Sequence, residues 1–165
     1  MAKTSIERVV QLSVLDRLLD DEPRSGVEAS LTRAQSILLL RAAVARDLDA
    51  LLNTRRTPEP APEELEEVRA SVYHYGMPDL SSLSQDALND RSRLVQMLEE
   101  TVALFEPRLT DVKVVVAPAE EHSPRVLRFR IEALLRMDPQ PERIAFDTRV
   151  EVNTGRYALE GTAGA

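Results

Sequence analysis

The hydrophobic period of this chain changes at Pro107, from helical spacing upstream to strict alternation downstream. Val112, Val114 and Val116 alternate with Lys113 and Val115. Leu127, Phe129, Ile131, Ala133 and Leu135 alternate with Arg128, Arg130, Glu132 and Leu134. Ile144, Phe146, Thr148, Val150 and Val152 alternate with Ala145, Asp147, Arg149 and Glu151. Period two sends one set of side chains to a core and the other to water, so these runs read as antiparallel strands. Asn153-Thr154-Gly155-Arg156 is a turn into a short last strand, Tyr157–Leu159, and residues 161–165 read as a loose tail.

Upstream, residues from about Ser5 to Leu19 carry Ile6, Val9, Val10, Leu12, Val14, Leu15, Leu18 and Leu19, a broad apolar helix face. A second helix starts near Ser30 as N-cap, carries Ile37, Leu38, Val44, Ala45, Leu48, Leu51 and Leu52, and ends around Asn53–Arg56. A third runs from about Ser84 or Asn89 to Phe105, with Leu94, Leu98, Thr101, Val102 and Phe105 on one face. The Pro-rich, acidic stretch 57–64 cannot continue a helix and reads as an exposed, semi-extended linker. A short helix is expected between Glu64 and Ser71, before a turn at Tyr75-Gly76-Met77-Pro78-Asp79. The expected fold is α+β: one domain over 1–165, with about three helices on one face of an antiparallel sheet of three to four strands.

Charge and composition narrow the function. A net charge of −7 argues against nucleic-acid binding, which requires a basic face. The absence of Cys removes disulfides, thiolate metal sites and a Cys nucleophile. The N-terminus has no signal-peptide core, and no run approaches the roughly 18 apolar residues of a membrane span. A cytoplasmic protein without direct membrane insertion is expected.

No catalytic constellation emerges. His74 and His122 lack partners at metal-ligand spacing, and Glu120, Glu121 and His122 are too close in sequence to share one coordination sphere. There is no Gly-rich phosphate loop and no nucleophile elbow. Glu99 and Glu100 point in different directions on a helix, so they read as a solvated face rather than a carboxylate pair. Arg128 and Arg130 are expected to be neutralised by cross-strand acids. Neither a metal nor a cofactor is expected, and the chain reads as a non-enzyme.

Glu106-Pro107-Arg108 stands apart. A carboxylate at a helix C-terminus faces the negative end of the dipole, an unfavourable placement by about 0.3–1 kcal/mol. Pro107 fixes the backbone between the two opposite charges. One reading is a helix stop with an incidental surface ion pair, worth about 0–1 kcal/mol. The other is a recognition element in which Arg108 offers its planar fork to a partner protein.

The motif resembles the Glu-Pro-Arg of the phage baseplate-wedge and TssE family. Ala45-Arg46-Asp47-Leu48-Asp49-Ala50-Leu51-Leu52-Asn53-Thr54-Arg55 is similar to the family's helix ending in Leu-Leu-Asn-Thr-Arg, and Tyr75-Gly76-Met77-Pro78-Asp79 to its Tyr-Gly-Leu-Pro-Asp segment. Ile144–Thr148 and Thr154–Tyr157 resemble its closing hairpin. The resemblance implies a structural subunit of a type VI secretion baseplate. In it Glu106, Pro107 and Arg108 would bind the wedge proteins TssF and TssG. A sheet edge would accept strands of the sheath proteins TssB and TssC, with TssK a further candidate partner. The family's lysozyme-like label admits a second reading, a peptidoglycan hydrolase, and the fold alone admits a third, a free-standing cytoplasmic regulator.

Overall fold

The computed structural model describes residues 9–19, 23–24, 31–62, 64–78, 87–117, 126–151 and 154–164. Its elements follow the order α1 (Val14–Leu18), α2 (Arg33–Asn53), α3 (Glu66–Arg69), a 3-10 turn (Val72–His74), α4 (Ala87–Phe105), β1 (Leu109–Val116), β2 (Val126–Leu135), β3 (Glu142–Glu151) and β4 (Arg156–Gly164). The four strands form an antiparallel meander in sequence order. The architecture is α+β, as the change of period predicts.

The alternation of β2 and β3 maps directly onto burial. Phe129, Ile131, Ala133 and Leu135 face inward on β2, and Ile144, Phe146, Thr148 and Val150 on β3. Helices α2 and α4 lie over this face, α2 beside β4 and α4 beside β1. Leu48, Leu51 and Leu52 of α2 and Leu94, Leu98 and Val102 of α4 complete one apolar cluster with the strands. The wet face carries cross-strand charge. Arg130 lies opposite Asp147, and its Nε donates to Asp147 Oδ1 at 2.8 Å.

Four sequence expectations change. The first helix is a single short segment, because Ser13 caps it by accepting from the Asp16 N–H. Before that cap, the Val10 N–H donates to Ser36 Oγ at 3.0 Å, which ties 9–12 to α2 as non-helical chain. The supposed apolar face of α1 is not buried: Val14, Leu15, Leu18 and Leu19 are all exposed. The second helix begins at Thr32, whose side chain and Gln35 form a reciprocal capping box. Ser30, proposed as its cap, lies outside the described residues, and Leu38 faces solvent while Leu40 and Ala43 join the core. Third, β4 runs to Gly164, pairing Ala145 with Ala163 and Ile144 with Gly164, where a loose tail is expected from 161. Finally, the described residues of the Pro-rich segment are exposed except Ala61, which is buried.

Both edge ladders carry a register shift, the β3–β4 one between Asp147 and Thr148, and each edge strand is met by a helix side chain. On β1 the register shifts between Thr110 and Lys113, and Asp111 there has φ 52°, a bulge that bends the strand. Beyond the bulge the Val114 N–H donates to Glu99 Oε1 of α4 at 2.8 Å. On β4, the Asn53 side chain at the end of α2 imitates a neighbouring strand. Its Oδ1 accepts from the Tyr157 N–H at 3.1 Å, and its Nδ2 donates to the Tyr157 carbonyl at 3.2 Å.

Just past Asn53, the chain is stapled to the Gly76 turn. Arg55 and Met77 form a parallel bridge, with Met77 N–H donating to Thr54 O and Arg56 N–H to Met77 O, both at 2.8 Å. Arg56 Nε adds a bond to Gly76 O at 3.1 Å, and its Nη2 reaches Thr101 Oγ1 on α4, also at 3.1 Å. Gly76 sits at φ 104°, and a Cβ there would run into the Thr54 carbonyl, whose carbon would lie 2.9 Å away. Only glycine permits both that backbone and that approach.

Candidate functional site

The motif residues form the corner between α4 and β1. Glu106 N–H closes the last helical bond to Val102 O at 2.9 Å, and Leu109 N–H returns to Glu106 O at 3.0 Å. Pro107, without an N–H, occupies the exposed tip. The end of β2 holds the corner from the side, where Arg136 N–H donates to Arg108 O at 2.8 Å.

Glu106 is only 4% exposed, so its carboxylate needs a partner inside the protein. Arg108 supplies it. Glu106 Oε1 accepts from Arg108 Nε at 2.6 Å and from the Arg108 backbone N–H at 3.2 Å, while Oε2 accepts from Nη2. Nη2 also donates to Asp47 Oδ2 of α2 at 2.6 Å. The hydrogen bond to Glu106, opposed by burial and helped by Asp47, holds the guanidinium above its ordinary pKa. The pair is therefore neither incidental nor on the surface, and two of the three guanidinium nitrogens are engaged within the chain. Nη1 takes no hydrogen bond among the described residues.

The charge alternation continues past the motif. Asp47 Oδ1 accepts from Arg46 Nε at 2.9 Å, Arg46 Nη2 donates to Asp16 Oδ1 at 2.8 Å, and Asp16 Oδ2 accepts from Ser13 Oγ at 2.5 Å. The Ser13 hydroxyl, and next Arg46, hold the Asp16 carboxyl below its ordinary range against the opposing effect of burial. A single line of alternating charge thus joins α1, α2 and the corner. Beside it opens a depression of about 470 Å³ with Leu51, Tyr75, Phe105 and Pro107 among its walls. Tyr75 and Phe105 meet edge to face, centroids 5.3 Å apart and planes at 73°. Burial, and next the Asp47 and Glu106 charges, push the Tyr75 hydroxyl up.

The structure brings together residues that the sequence presents in three separate segments: Asp47, Tyr75 and Glu106–Arg108. Asp16 and Arg46 carry no local sign of membership, since only the tertiary fold sets α1 against α2. The other candidates disperse. Glu99 binds the β1 backbone, whereas Glu100 Oε1 accepts from Gln96 Nε2 at 2.9 Å on its own helix. Burial, and next Arg56 and Arg69, lower the His74 pKa. Glu120, Glu121 and His122 lie outside the described residues, and no metal-holding cluster occurs among the described ones. No described helix is long and apolar enough to cross a membrane.

The chain is a small α+β scaffold with a charge cluster locked into one corner beside an open depression. The family profile of baseplate wedge protein gp25 matches residues 39–140, and the chain belongs to that family. Its coarse role is that of a structural baseplate component, of phage-tail or type VI secretion kind. The match begins within α2, covers α3, α4, β1, β2 and the corner residues Asp47, Tyr75 and Glu106–Arg108, and ends before the closing hairpin of β3 and β4. No curated protein matches the chain.

Proposed function

We propose that this protein is the non-catalytic baseplate subunit of a bacterial type VI secretion system that joins the wedge to the contractile sheath and starts sheath assembly. The Asn53-Thr54-Arg55 and Tyr75-Gly76-Met77-Pro78-Asp79 segments favour the secretion branch over the phage branch. The observation that carries the reading is the corner itself: a buried Glu106 locking Arg108 beside the Tyr75–Phe105 depression, inside the family-matched region. Such a corner is pre-organised, so a partner meets Pro107, the depression and Arg108 Nη1 without first ordering them. The partners on this side are TssF and TssG of the wedge, with TssK nearby in the assembly. The sheath proteins TssB and TssC dock on the sheet by strand addition, in the cytoplasm.

Co-purification from cells carrying the secretion gene cluster tests the anchoring. Arg108→Lys keeps the charge but loses the fork, and Glu106→Gln keeps the shape but loses the charge. Both variants are expected to fold and to lose TssF and TssG, as are the harsher Arg108→Ala and Glu106→Ala. Retention of both wedge proteins by all four folded variants would refute the role of the corner.

A further inference from the structure

Helix α1 carries its polarity inverted. Residues three or four apart share a side of a helix, and residues two apart do not. Val14 and Leu18 therefore lie on one side with Leu15 beside Leu18, and Asp16 lies on the other. It is the carboxylate that turns inward. The Asp16 side chain is 8% exposed and accepts from Arg46 of α2, whereas Val14, Leu15 and Leu18 are 64%, 58% and 76% exposed. Ser13 fixes this orientation by capping the helix and donating its hydroxyl to Asp16, and the Val10 N–H bond to Ser36 anchors the chain just before it. On α2, helical spacing puts the exposed Leu39 on the stripe between Ser36 and Arg46, the two anchor points. Apolar surface held outward and rimmed by polar residues marks a contact with another molecule.

This surface is continuous with the corner. Ser13 belongs to the wall of the depression that Tyr75, Phe105 and Pro107 also line, so a partner seated there meets α1 at its first turn. The line of charge that joins the two turns its acids inward and its cations outward. Asp16 and Glu106 are enclosed, while the side chains of Arg46 and Arg108 are 46% and 22% exposed. Arg17, next to Leu18, is exposed too, and its guanidinium makes no hydrogen bond or ion pair among the described residues. In a chain of net charge −7, the rim of the apolar surface is thus locally basic.

From this we infer that α1 receives an amphipathic helix of the protein seated at the corner. The apolar side of that helix covers Val14, Leu15 and Leu18, and its acidic margin meets Arg17 and Arg46. The complementary element is a helix because α1 and α2 present helical ridges here and no strand edge. The identification of that protein as a wedge subunit rests on the function proposed above. The recognition chemistry, an apolar helix face edged with Asp or Glu, does not.

The test uses the full chain and a purified TssF–TssG complex. Val14→Ser and Leu18→Ser are expected to keep the parent's denaturation midpoint and to weaken binding about tenfold, as loss of one buried aliphatic contact does. Leu38→Ser, at a leucine equally open but off the Ser36–Arg46 stripe, leaves binding unchanged. A photocrosslinker on Leu18→Cys marks TssF or TssG, and one on Leu38→Cys does not. Full binding by Val14→Ser and Leu18→Ser, while Arg108→Ala loses both wedge proteins, would overturn the inference and leave the corner standing. A lowered midpoint in Leu18→Ser would overturn it too, since the face would then be packed within the chain. So would binding of the wild type to phosphatidylglycerol vesicles that Leu18→Ser abolishes, which would make α1 a lipid contact. A wild type that binds no wedge protein would refute the wedge assignment, and two synthetic helices with a leucine face then decide the chemistry. The one with glutamate margins is expected to shift the methyl resonances of Val14, Leu15 and Leu18, and the one with lysine margins to leave them in place. Equal shifts with both, or none with either, would overturn the inference.

Discussion

The corner and a groove between the end of α2 and β4, with Arg55 and Arg156 in its walls, both present arginines, and they differ in what those arginines already hold. Arg108 is 22% exposed and closed onto Glu106 and Asp47 by short charge-assisted bonds. Arg55 and Arg156 are exposed and hold nothing through their side chains among the described residues. At the corner, charge makes a shape. At the groove, charge faces solvent. The same residue type therefore predicts different effects on stability, a large loss at the corner and almost none at the groove.

The largest expected effect is at the corner. Arg108→Ala leaves Glu106 buried without its cation, and should cost about 3 kcal/mol in chemical denaturation. A loss below about 0.5 kcal/mol would mean that the corner is no more rigid than the groove. Gly76→Ala comes next, at about 2–3 kcal/mol from backbone strain and the collision with Thr54. It also sharpens the contrast, because the Gly76 turn sits between Tyr75 of the corner and Arg55 of the groove. Asn53→Ala strips two bonds from the backbone of buried Tyr157 and should cost about 2 kcal/mol. Arg55→Ala and Arg156→Ala should each lie within about 0.5 kcal/mol of the parent stability.

The smallest expected effect is a pH response. Burial lowers the His74 pKa below 6.5, so the folded state disfavours the imidazolium. Its contribution is fully present above pH 6.5 and declines as the pH falls through that value toward the folded-state pKa. His74→Phe should reduce the slope of stability against pH in that window, by equilibrium denaturation at several pH values. An unchanged slope would assign the response to another group. A second, lower window belongs to Asp16, whose link is present above pH 3.8 and is lost as the pH drops further.

Much of the fold was legible because the core face of β2 and β3 is almost wholly buried, and full burial writes alternation plainly. The same logic failed at both ends of the chain. The apolar residues of α1 remain exposed, so their spacing carried no information about what is helical. The tail Gly161-Thr162-Ala163-Gly164 has no hydrophobic alternation, and its strand state comes from pairing with β3. At the start of α2, Thr32-Arg33-Ala34-Gln35 is a capping-box sequence, a stronger N-cap signal than a bare serine at 30. At the site, Glu106–Arg108 was visible as an electrostatic anomaly beside a proline. Asp47 was invisible as a member, since its contact with Arg108 spans 61 positions.

The finish of β1 has a consequence for growth. A bulge at Asp111 and a carboxylate on the Val114 amide finish that side of the sheet, and a register shift between Asp147 and Thr148, with Asn53 on the Tyr157 backbone, finishes the other. Copies of such a chain cannot propagate edge to edge, because every pairing requires an open side on both molecules in the right direction. With both edges finished, the sheet is a closed unit and not a repeating member of an array of its own kind.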